Sequence, residues 1–391
     1  MRKIVFILSI LFAFSAYCQA QNTKGKKADP IKSTKQKTEI DNSVKSSDCS
    51  KCLALVRGLK IWGYVDKTGN AVINLQFDDA RPFSNGYARV KKMNSWGYID
   101  LKGTYVINPQ FERAEDFRED FARVVKFKKW GYIEKSGSFA INPQFSDAED
   151  FSGGLARVKQ GVLWGLIDTK GAFVVNPQFA ELGGFVDALA RARTGKQWGY
   201  IESSGKWVIN PQFDDAEDFH NGLARVRKGT KWGYIDETGT YSIIPQFEGV
   251  GDFYNGLARA KKIKQWGYID KKGTWAVNPQ FDNAEDFSEG LARVRKGKDW
   301  GFIGTDGTYT INPQFADAEN FSDGLARIKT GTLWGFINKK GSYVITPQFA
   351  AAKDFKNGFA VVRKGPKWGF INPDGGMAID YLFNDAEGFT K

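Results

Sequence analysis

The stretch KWGYIDETGTYSIIPQF at residues 231–247 decides the fold. Its Trp-Gly pair recurs through the chain, and each copy lies 34 residues after the previous one. The tryptophans of this series are Trp62, Trp96, Trp130, Trp164, Trp198, Trp232, Trp266, Trp300, Trp334 and Trp368. Because self-similarity at a fixed period is typical of repeat architectures, the chain is a tandem array of ten units.

Short alternating runs within one unit predict three strands. Residues 223–227 alternate apolar and charged side chains, residues 228–230 resemble a turn, and residues 231–236 form a second run. Asp236 and Gly239 begin and end a type I turn with a left-handed residue, and a third strand follows until Pro245 ends it. The polar connector that comes next is too short for more than one helical turn. Each unit is therefore a three-stranded meander.

Two other architectures share features with this array. Tetratricopeptide repeats have the same length, but the glycines, the proline and the period-two runs exclude two helices per unit. A closed, propeller-like ring is the better alternative, although its blades need four strands and about 40 residues. The array begins near Leu53 and ends just after Phe389, on a unit boundary, whereas ring closure often lets both ends complete one blade. We therefore expect an all-β, open, curved solenoid of ten 34-residue units.

The core pattern W-G-[YF]-I-D-x-x-G-x-[YFW]-x-[IV]-N-P-Q-F resembles the WG repeat family, also called the KWG repeat family, of bacterial β repeats. The similarity covers residues 53–389 in ten copies. It implies a β-rich repeat protein that is commonly exported. The family offers no established activity or catalytic residues to transfer to this chain.

The first 51 residues differ in composition from the array. Residues 1–20 resemble a signal peptide, with a basic start, an apolar run and small residues near a cleavage position at Ala20. Lipid attachment at Cys18 is an alternative that the bulky Tyr17 before it disfavours. Residues 21–51 are polar and basic, which predicts a disordered tether, and residues 52–391 hold the repeats. We expect an exported protein, periplasmic or extracellular.

Charge and hydropathy limit the partners. The chain has 56 Lys and Arg against 44 Asp and Glu, a formal net charge of +12, and about half of this excess precedes the array. The array therefore has a mixed surface and lacks the basic stripe that nucleic-acid binding requires. No segment after the signal is long and apolar enough to predict a transmembrane helix.

Cys49 and Cys52 form a C-x-x-C pair beside the first strand. Such a pair closes on itself, acts in thiol redox chemistry or provides half of a zinc site. The sequence offers no second ligand pair and no βαβ pattern around the cysteines. A local disulfide is the interpretation that we favour.

Two repeated sets of side chains are candidates for binding. One is an arginine in the first strand of most units, for which we expect pairing with the acidic connectors, such as Glu115-Asp116, between neighbouring units. The other is an aromatic column nine residues after each tryptophan, expected to face the core but able to stack on sugars if exposed. We call this set the aromatic column, and its members are Tyr105, Phe139, Phe173, Trp207, Tyr241, Trp275, Tyr309 and Tyr343.

No residue set stands apart from the repeat as a catalytic centre would. His220 occupies a variable connector position, paired carboxylates recur in most units, and the sequence has no phosphate loop or metal-ligand cluster. We therefore predict a non-enzymatic scaffold, without cofactor or metal, that binds a protein partner at the cell envelope. The alternative is a glycan or cell-wall binding module that uses the aromatic column as its ligand-binding residues.

Overall fold

The computed structural model describes Cys49 and residues 51–391. Within this part of the chain there are ten antiparallel sheets of four strands each, and no helix. We call these sheets blades 1 to 10. The predicted signal peptide, the lipidation candidate Cys18 and nearly all of the predicted tether lie outside the described residues.

Each blade contains four strands in a fixed order, which we name the leading, second, Trp-Gly and aromatic strands. The leading strands of blades 2 to 10 are, in order, Asp79–Ala80, Arg113–Ala114, Asp147–Ala148, Glu181–Val186, Asp215–His220, Gly249–Val250, Asn283–Ala284, Asp317–Ala318 and Ala351–Ala352. The leading strand of blade 1 is Asp385–Thr390. From blade 1 to blade 10 the second strands are Leu53–Arg57, Tyr87–Lys92, Phe121–Lys126, Leu155–Gln160, Leu189–Thr194, Leu223–Lys228, Leu257–Lys262, Ala292–Lys296, Leu325–Thr330 and Ala360–Lys364.

The other two strands of each blade also follow the repeat. The Trp-Gly strands are Trp62–Val65, Ser95–Asp100, Lys129–Glu134, Leu163–Asp168, Gln197–Ile201, Lys231–Ile235, Gln265–Asp270, Asp299–Ile303, Leu333–Asn338 and Lys367–Ile371. The aromatic strands are Ala71–Phe77, Tyr105–Phe111, Phe139–Phe145, Phe173–Phe179, Trp207–Phe213, Tyr241–Phe247, Trp275–Phe281, Tyr309–Phe315, Tyr343–Phe349 and Met377–Phe383. The predicted three-stranded meander is therefore present, with one additional strand.

The array closes on itself through blade 1. Its leading strand, Asp385–Thr390, comes from the last connector and pairs antiparallel with Leu53–Arg57, so that Leu53 lies opposite Thr390. The amide of Asn384 also donates a hydrogen bond of 2.9 Å to the carbonyl of Arg57. The expected open solenoid is wrong, and the alternative, a closed propeller-like ring, is correct.

The error has a physical cause in the connector. Asp79 and Ala80 form a two-residue strand that pairs with Lys91 and Val90, and most other connectors do the same. This short strand supplies the fourth strand of each blade. Because the hairpins beside it have very short turns, a complete blade fits into 34 residues. The end at Phe389 therefore completes blade 1 and does not mark a unit boundary.

The hydrophobic core lies between neighbouring blades. One cluster combines Tyr98, Ile107 and Phe111 of blade 2 with Phe117 and Ile133 of blade 3. The largest fully buried side chains include the tyrosine two residues after the Trp-Gly tryptophan in six blades, whereas most of the tryptophans themselves are half-buried. The residue two positions after the tryptophan is therefore buried more completely than the tryptophan in most blades.

The glycine of the Trp-Gly pair is required by a close backbone approach. A Cβ atom on Gly97 would lie 2.5 Å from the carbonyl oxygen of Ile107 and 2.6 Å from the backbone nitrogen of Pro109. The strand register shifts between Trp96 and Tyr98, which brings the aromatic strand against this position. No other residue fits there without moving the backbone.

Candidate interaction surfaces

Ion pairs join most neighbouring blades. The Nε atom of Arg89 in blade 2 lies 2.6 Å from Asp116 of blade 3, and its Nη1 atom lies 2.6 Å from Glu115. In blade 3, burial lowers the pKa of the Arg123 guanidinium, but Asp150 and Glu149 raise it. The net shift of this pKa is upward. The predicted pairing between units is confirmed, and these arginines hold the ring together. Arginines with such pairs are Arg89, Arg123, Arg191, Arg225, Arg259, Arg293 and Arg327.

Arg157 of blade 4 is the exception in this series. The leading strand of blade 5 has Gly183 and Gly184 where blades 3, 4, 6 and 8 have Glu and Asp. Within the described residues no carboxylate lies at ion-pair distance from Arg157, and its Nη1 atom donates to the carbonyl of Leu182. Burial lowers the pKa of this guanidinium. The junction between blades 4 and 5 therefore lacks one stabilising contact.

Buried tyrosine hydroxyls form a second set of contacts between blades. The hydroxyl of Tyr98 donates a hydrogen bond of 2.7 Å to the carbonyl of Glu115 in the next blade. Tyr200 and Tyr268 make the same contact in their blades. Burial raises the pKa of all three phenols well above the usual value. The repeat thus uses much of its polar chemistry internally.

The aromatic column is partly accessible. Five of its members, Tyr105, Phe173, Tyr241, Tyr309 and Tyr343, are 36–47% exposed, and Phe139, Trp207 and Trp275 are half-buried. Each ring lies edge to face against a phenylalanine of the preceding blade, as for Phe77 and Tyr105, whose centroids are 6.3 Å apart. The column is therefore both an inter-blade contact and a partly exposed surface.

Sequence reasoning missed a set of exposed apolar residues at the turns between the second and Trp-Gly strands. We call these residues the apolar tips: Leu59, Met93, Phe127 and Val162, in blades 1 to 4, are each 77–86% exposed. Met93 and Phe127 stand first in this turn, whereas most blades have glycine there, such as Gly229 and Gly297, and in blade 4 Val162 follows Gly161. That difference within the repeat was the available sequence signal.

A pocket of about 250 Å³ lies between blades 2 and 3, and we call it the arginine pocket. Its lining residues are Arg81, Arg89, Trp96, Arg113, Ala114 and Glu115. The Arg81 guanidinium lies 5.2 Å from the Trp96 ring centre and 2.6 Å from Asp79. Arg113 is exposed and stacks on Trp130. Two arginines thus stand where most blades have no cationic residue.

The other residues that the sequence singled out, the two cysteines and the histidine, lie in contacts within the ring. Cys49 and Cys52 are joined by a disulfide and pack with Phe389 beside the closing strand. His220 lies at a blade junction, with its ring 4.9 Å from that of Tyr254. Among the described residues no group of three or more His, Cys, Asp or Glu could hold a metal ion. No helix that could span a membrane is found in that part of the chain.

These features define a closed ten-bladed β-propeller whose blades are joined by charged and aromatic side chains. The family described as WG containing repeat matches residues 62–94, 96–130, 130–161, 164–198, 198–232, 232–262, 266–298, 300–331, 334–368 and 368–391. The chain therefore belongs to the WG-repeat family, and its fold is typical of protein-interaction scaffolds. No curated protein matches its sequence.

Several solved structures are similar at low sequence identity. A eukaryotic initiation factor is 10% identical over 86% of this chain and 97% of its own, with a TM-score of 0.51. PorZ, a surface component of the type-IX secretion system of Porphyromonas gingivalis, is 11% identical over 82% of this chain and 57% of its own, with a TM-score of 0.27. YCF48, solved with a D1 peptide, is 12% identical over 54% of this chain and 87% of its own, with a TM-score of 0.30. At 10% identity the similarity to the initiation factor supports the fold alone. The similarities to PorZ and YCF48 are too weak to support an inference.

Proposed function

We propose that the chain is an exported, non-enzymatic scaffold that binds a protein partner at the cell envelope. One observation carries this proposal: the repeated arginines, carboxylates and tyrosine hydroxyls are used between blades, while the aromatic strands expose other side chains. A partner would therefore bind the side chains that the ring exposes on its surface.

The aromatic strand has the composition of a binding surface. In blade 2 it exposes Tyr105, Asn108 and Gln110 while Ile107 and Phe111 are buried. Exposed tyrosine and amide side chains provide contact area and adaptable hydrogen bonds to protein partners. This strand lies at the edge of its sheet, but Pro109 removes a backbone donor and hinders pairing with a foreign strand. Side chains are therefore the means of recognition.

Two features support export. The N-terminal residues have the basic, apolar and small-residue order of a signal peptide. Cys49 and Cys52 form a disulfide, which persists in oxidising compartments outside the cytosol.

Glycan binding is the second candidate, because the aromatic column is repeated around the ring and partly exposed. Tyr343 is the most accessible of its members, with 47% of its surface exposed. Sugar rings stack on aromatic side chains when a ring face is accessible, and a repeated column would suit a repeated polymer.

One experiment separates the two candidates. The full chain is immobilised and incubated with the envelope fraction of its source cell, either untreated or digested with protease. Loss of the retained material on digestion supports a protein partner, and retention after digestion supports a glycan. No retention from either sample refutes both.

Variants locate the surface in the same experiment. Tyr105→Ala with Trp207→Ala removes two members of the column, and Val106→Ala with Val208→Ala changes their exposed neighbours as a control. If the column binds a glycan, only the first pair reduces retention after digestion.

A further inference from the structure

The turns that carry Met93 and Phe127 adopt a conformation that opposes their residue types. In blades 2 and 3 both turn residues have positive φ angles: 48° and 67° for Met93 and Asn94, and 55° and 59° for Phe127 and Lys128. Side chains other than those of Gly, Asn and Asp are disfavoured in this region. Blade 6 has Gly229 at the same position, with φ of 59°, and avoids this cost.

The apolar tips are adjacent around the ring. Leu59, Met93, Phe127 and Val162 belong to four consecutive blades, and all lie at the same end of their sheets. Each projects singly from a hairpin turn, with at least 77% of its surface exposed. Single projecting side chains of this kind suit insertion into a fluid apolar layer, whereas a protein partner would need a matching pocket for each.

Lysines flank two of the tips, Met93 and Phe127. Lys92, Lys126 and Lys128 lie within one residue of Met93 or Phe127. The nearby carboxylates are already bonded to the turns, since Asp78 accepts from the amide of Met93 and Glu112 accepts from the amide of Lys128. Met93 and Phe127 therefore project beside flexible lysine side chains, while Asp78 and Glu112 are held against the turn backbone.

The arginine pocket reverses the charge of the repeat at the same end of the sheets. Its lining has three arginines and one glutamate, whereas the corresponding positions between blades 3 and 4 have one arginine, Arg123, and three carboxylates. Those carboxylates are Glu115, Asp147 and Glu149. Arg113 lies opposite Val125, two residues before Phe127, so the pocket adjoins the tips. Arg81 and Arg89 pair with Asp79, Glu115 and Asp116, so the exposed guanidinium of Arg113 is the group best placed to meet phosphate oxygens.

We propose that blades 1 to 4 dock this end of the ring onto an anionic lipid surface. The apolar tips enter the boundary between headgroups and acyl chains, the lysines contact the anionic surface, and the arginine pocket receives a lipid phosphate. This docking is independent of the protein partner proposed above.

The test uses vesicles of equal parts phosphatidylglycerol and phosphatidylcholine, and vesicles of phosphatidylcholine alone. Sedimentation of the full chain with each measures its affinity. We expect binding to the anionic vesicles that weakens at high salt, and roughly tenfold or greater weakening in the M93G/F127G variant, because two apolar side chains no longer enter the membrane.

A matched control exists in blade 7. Ile263 has the same turn conformation, with φ of 50°, and is 80% exposed, but its neighbouring blades carry Gly229 and Gly297. We expect I263G to bind as the unchanged chain does. All variants keep the basic N-terminal residues, so any contribution of these residues is common to them.

Charge variants test the arginine pocket. R81E/R113E replaces both arginines with the acidic type common at those repeat positions, and K196E/K298E makes the same charge change at exposed turns of blades 5 and 8. We expect only the first to lose binding strongly. Absence of binding to anionic vesicles, equal binding to both vesicle types, or M93G/F127G binding like I263G would each overturn the proposal. Capture of an envelope protein that depends on Met93 and Phe127, without vesicle binding, would assign the surface to that protein.

Discussion

Closure of the ring depends on Phe389, and its replacement by alanine is the most direct test of the fold. Phe389 is wholly buried in the closing strand, and its ring centre lies 4.9 Å from that of Phe359 and 5.2 Å from that of Phe370. Its carbonyl oxygen accepts a hydrogen bond of 2.9 Å from Asn357. Removing a buried phenylalanine side chain costs about 3–5 kcal/mol. We expect Phe389→Ala to lower the free energy of unfolding by that amount.

Phe219 provides the control for this change. It holds the same repeat position in blade 6, where it is equally buried, but the chain continues beyond it. Urea unfolding followed by tryptophan fluorescence and circular dichroism compares the two variants. In a closed ring both alanine substitutions cost similar free energies. A loss below about 1 kcal/mol for Phe389→Ala beside a full loss for Phe219→Ala would refute closure, because an unpaired terminal strand frays.

Three further changes test the contacts between and within blades. Gly97→Ala should destabilise by about 3 kcal/mol in urea unfolding, because its Cβ atom would meet the backbone of Ile107 and Pro109 at 2.5–2.6 Å. Gly184→Asp should stabilise by about 1 kcal/mol by giving Arg157 a carboxylate partner, since a Cβ atom on Gly184 meets no atom within 4 Å. Stability should be complete below pH 10 and fall above it, because the unfolded chain ionises its tyrosines near pH 10 while burial raises their pKa in the folded ring. The tyrosines responsible are Tyr64, Tyr98, Tyr132, Tyr200, Tyr234 and Tyr268.

Each of these predictions has its own contradicting outcome. Unchanged stability of Gly97→Ala would mean that the neighbouring strand does not occupy the Cβ position. An equal gain from Gly184→Asp when Arg157 is replaced by glutamine would show that the new carboxylate does not act through the arginine. For the alkaline transition, a free energy of unfolding that stays unchanged from about pH 9 to about pH 11 would exclude burial of the six tyrosines as a source of pH dependence.

Local sequence patterns predicted the strands of each unit but could not predict closure. The alternating runs, the turn glycines and Pro109 act over a few residues and identify three strands. The leading strand Asp79–Ala80 is two residues long, too short to show a period of two. Pairing of Leu53–Arg57 with Asp385–Thr390 joins residues from opposite ends of the array, and no local propensity records that contact.

The aromatic column shows how a bulge defeats a simple alternation rule. Ile107 faces the core, and Tyr105 two residues earlier was expected to share that face. The register shifts between Tyr98, which pairs with Ile107, and Ile99, which pairs with Tyr105. Such a shift changes side-chain direction, so Tyr105 remains partly exposed although Ile107 is buried. The arginine–carboxylate pairs between blades were predictable because most of these arginines and carboxylates recur at a fixed spacing.

Met93 and Phe127 carry a backbone strain that a bound state can offset, and Ile263 carries the same strain without an adjacent apolar tip. A left-handed conformation costs a residue such as Met93 or Phe127 about 1–2 kcal/mol, and these exposed side chains gain little from burial in the free ring. Glycine would avoid the cost, as at Gly229. Burying each side chain in a partner or membrane returns about 1.5–3 kcal/mol, which can exceed the strain. Replacing both with glycine should therefore raise stability while weakening binding, whereas a purely structural role would lower stability and leave binding unchanged.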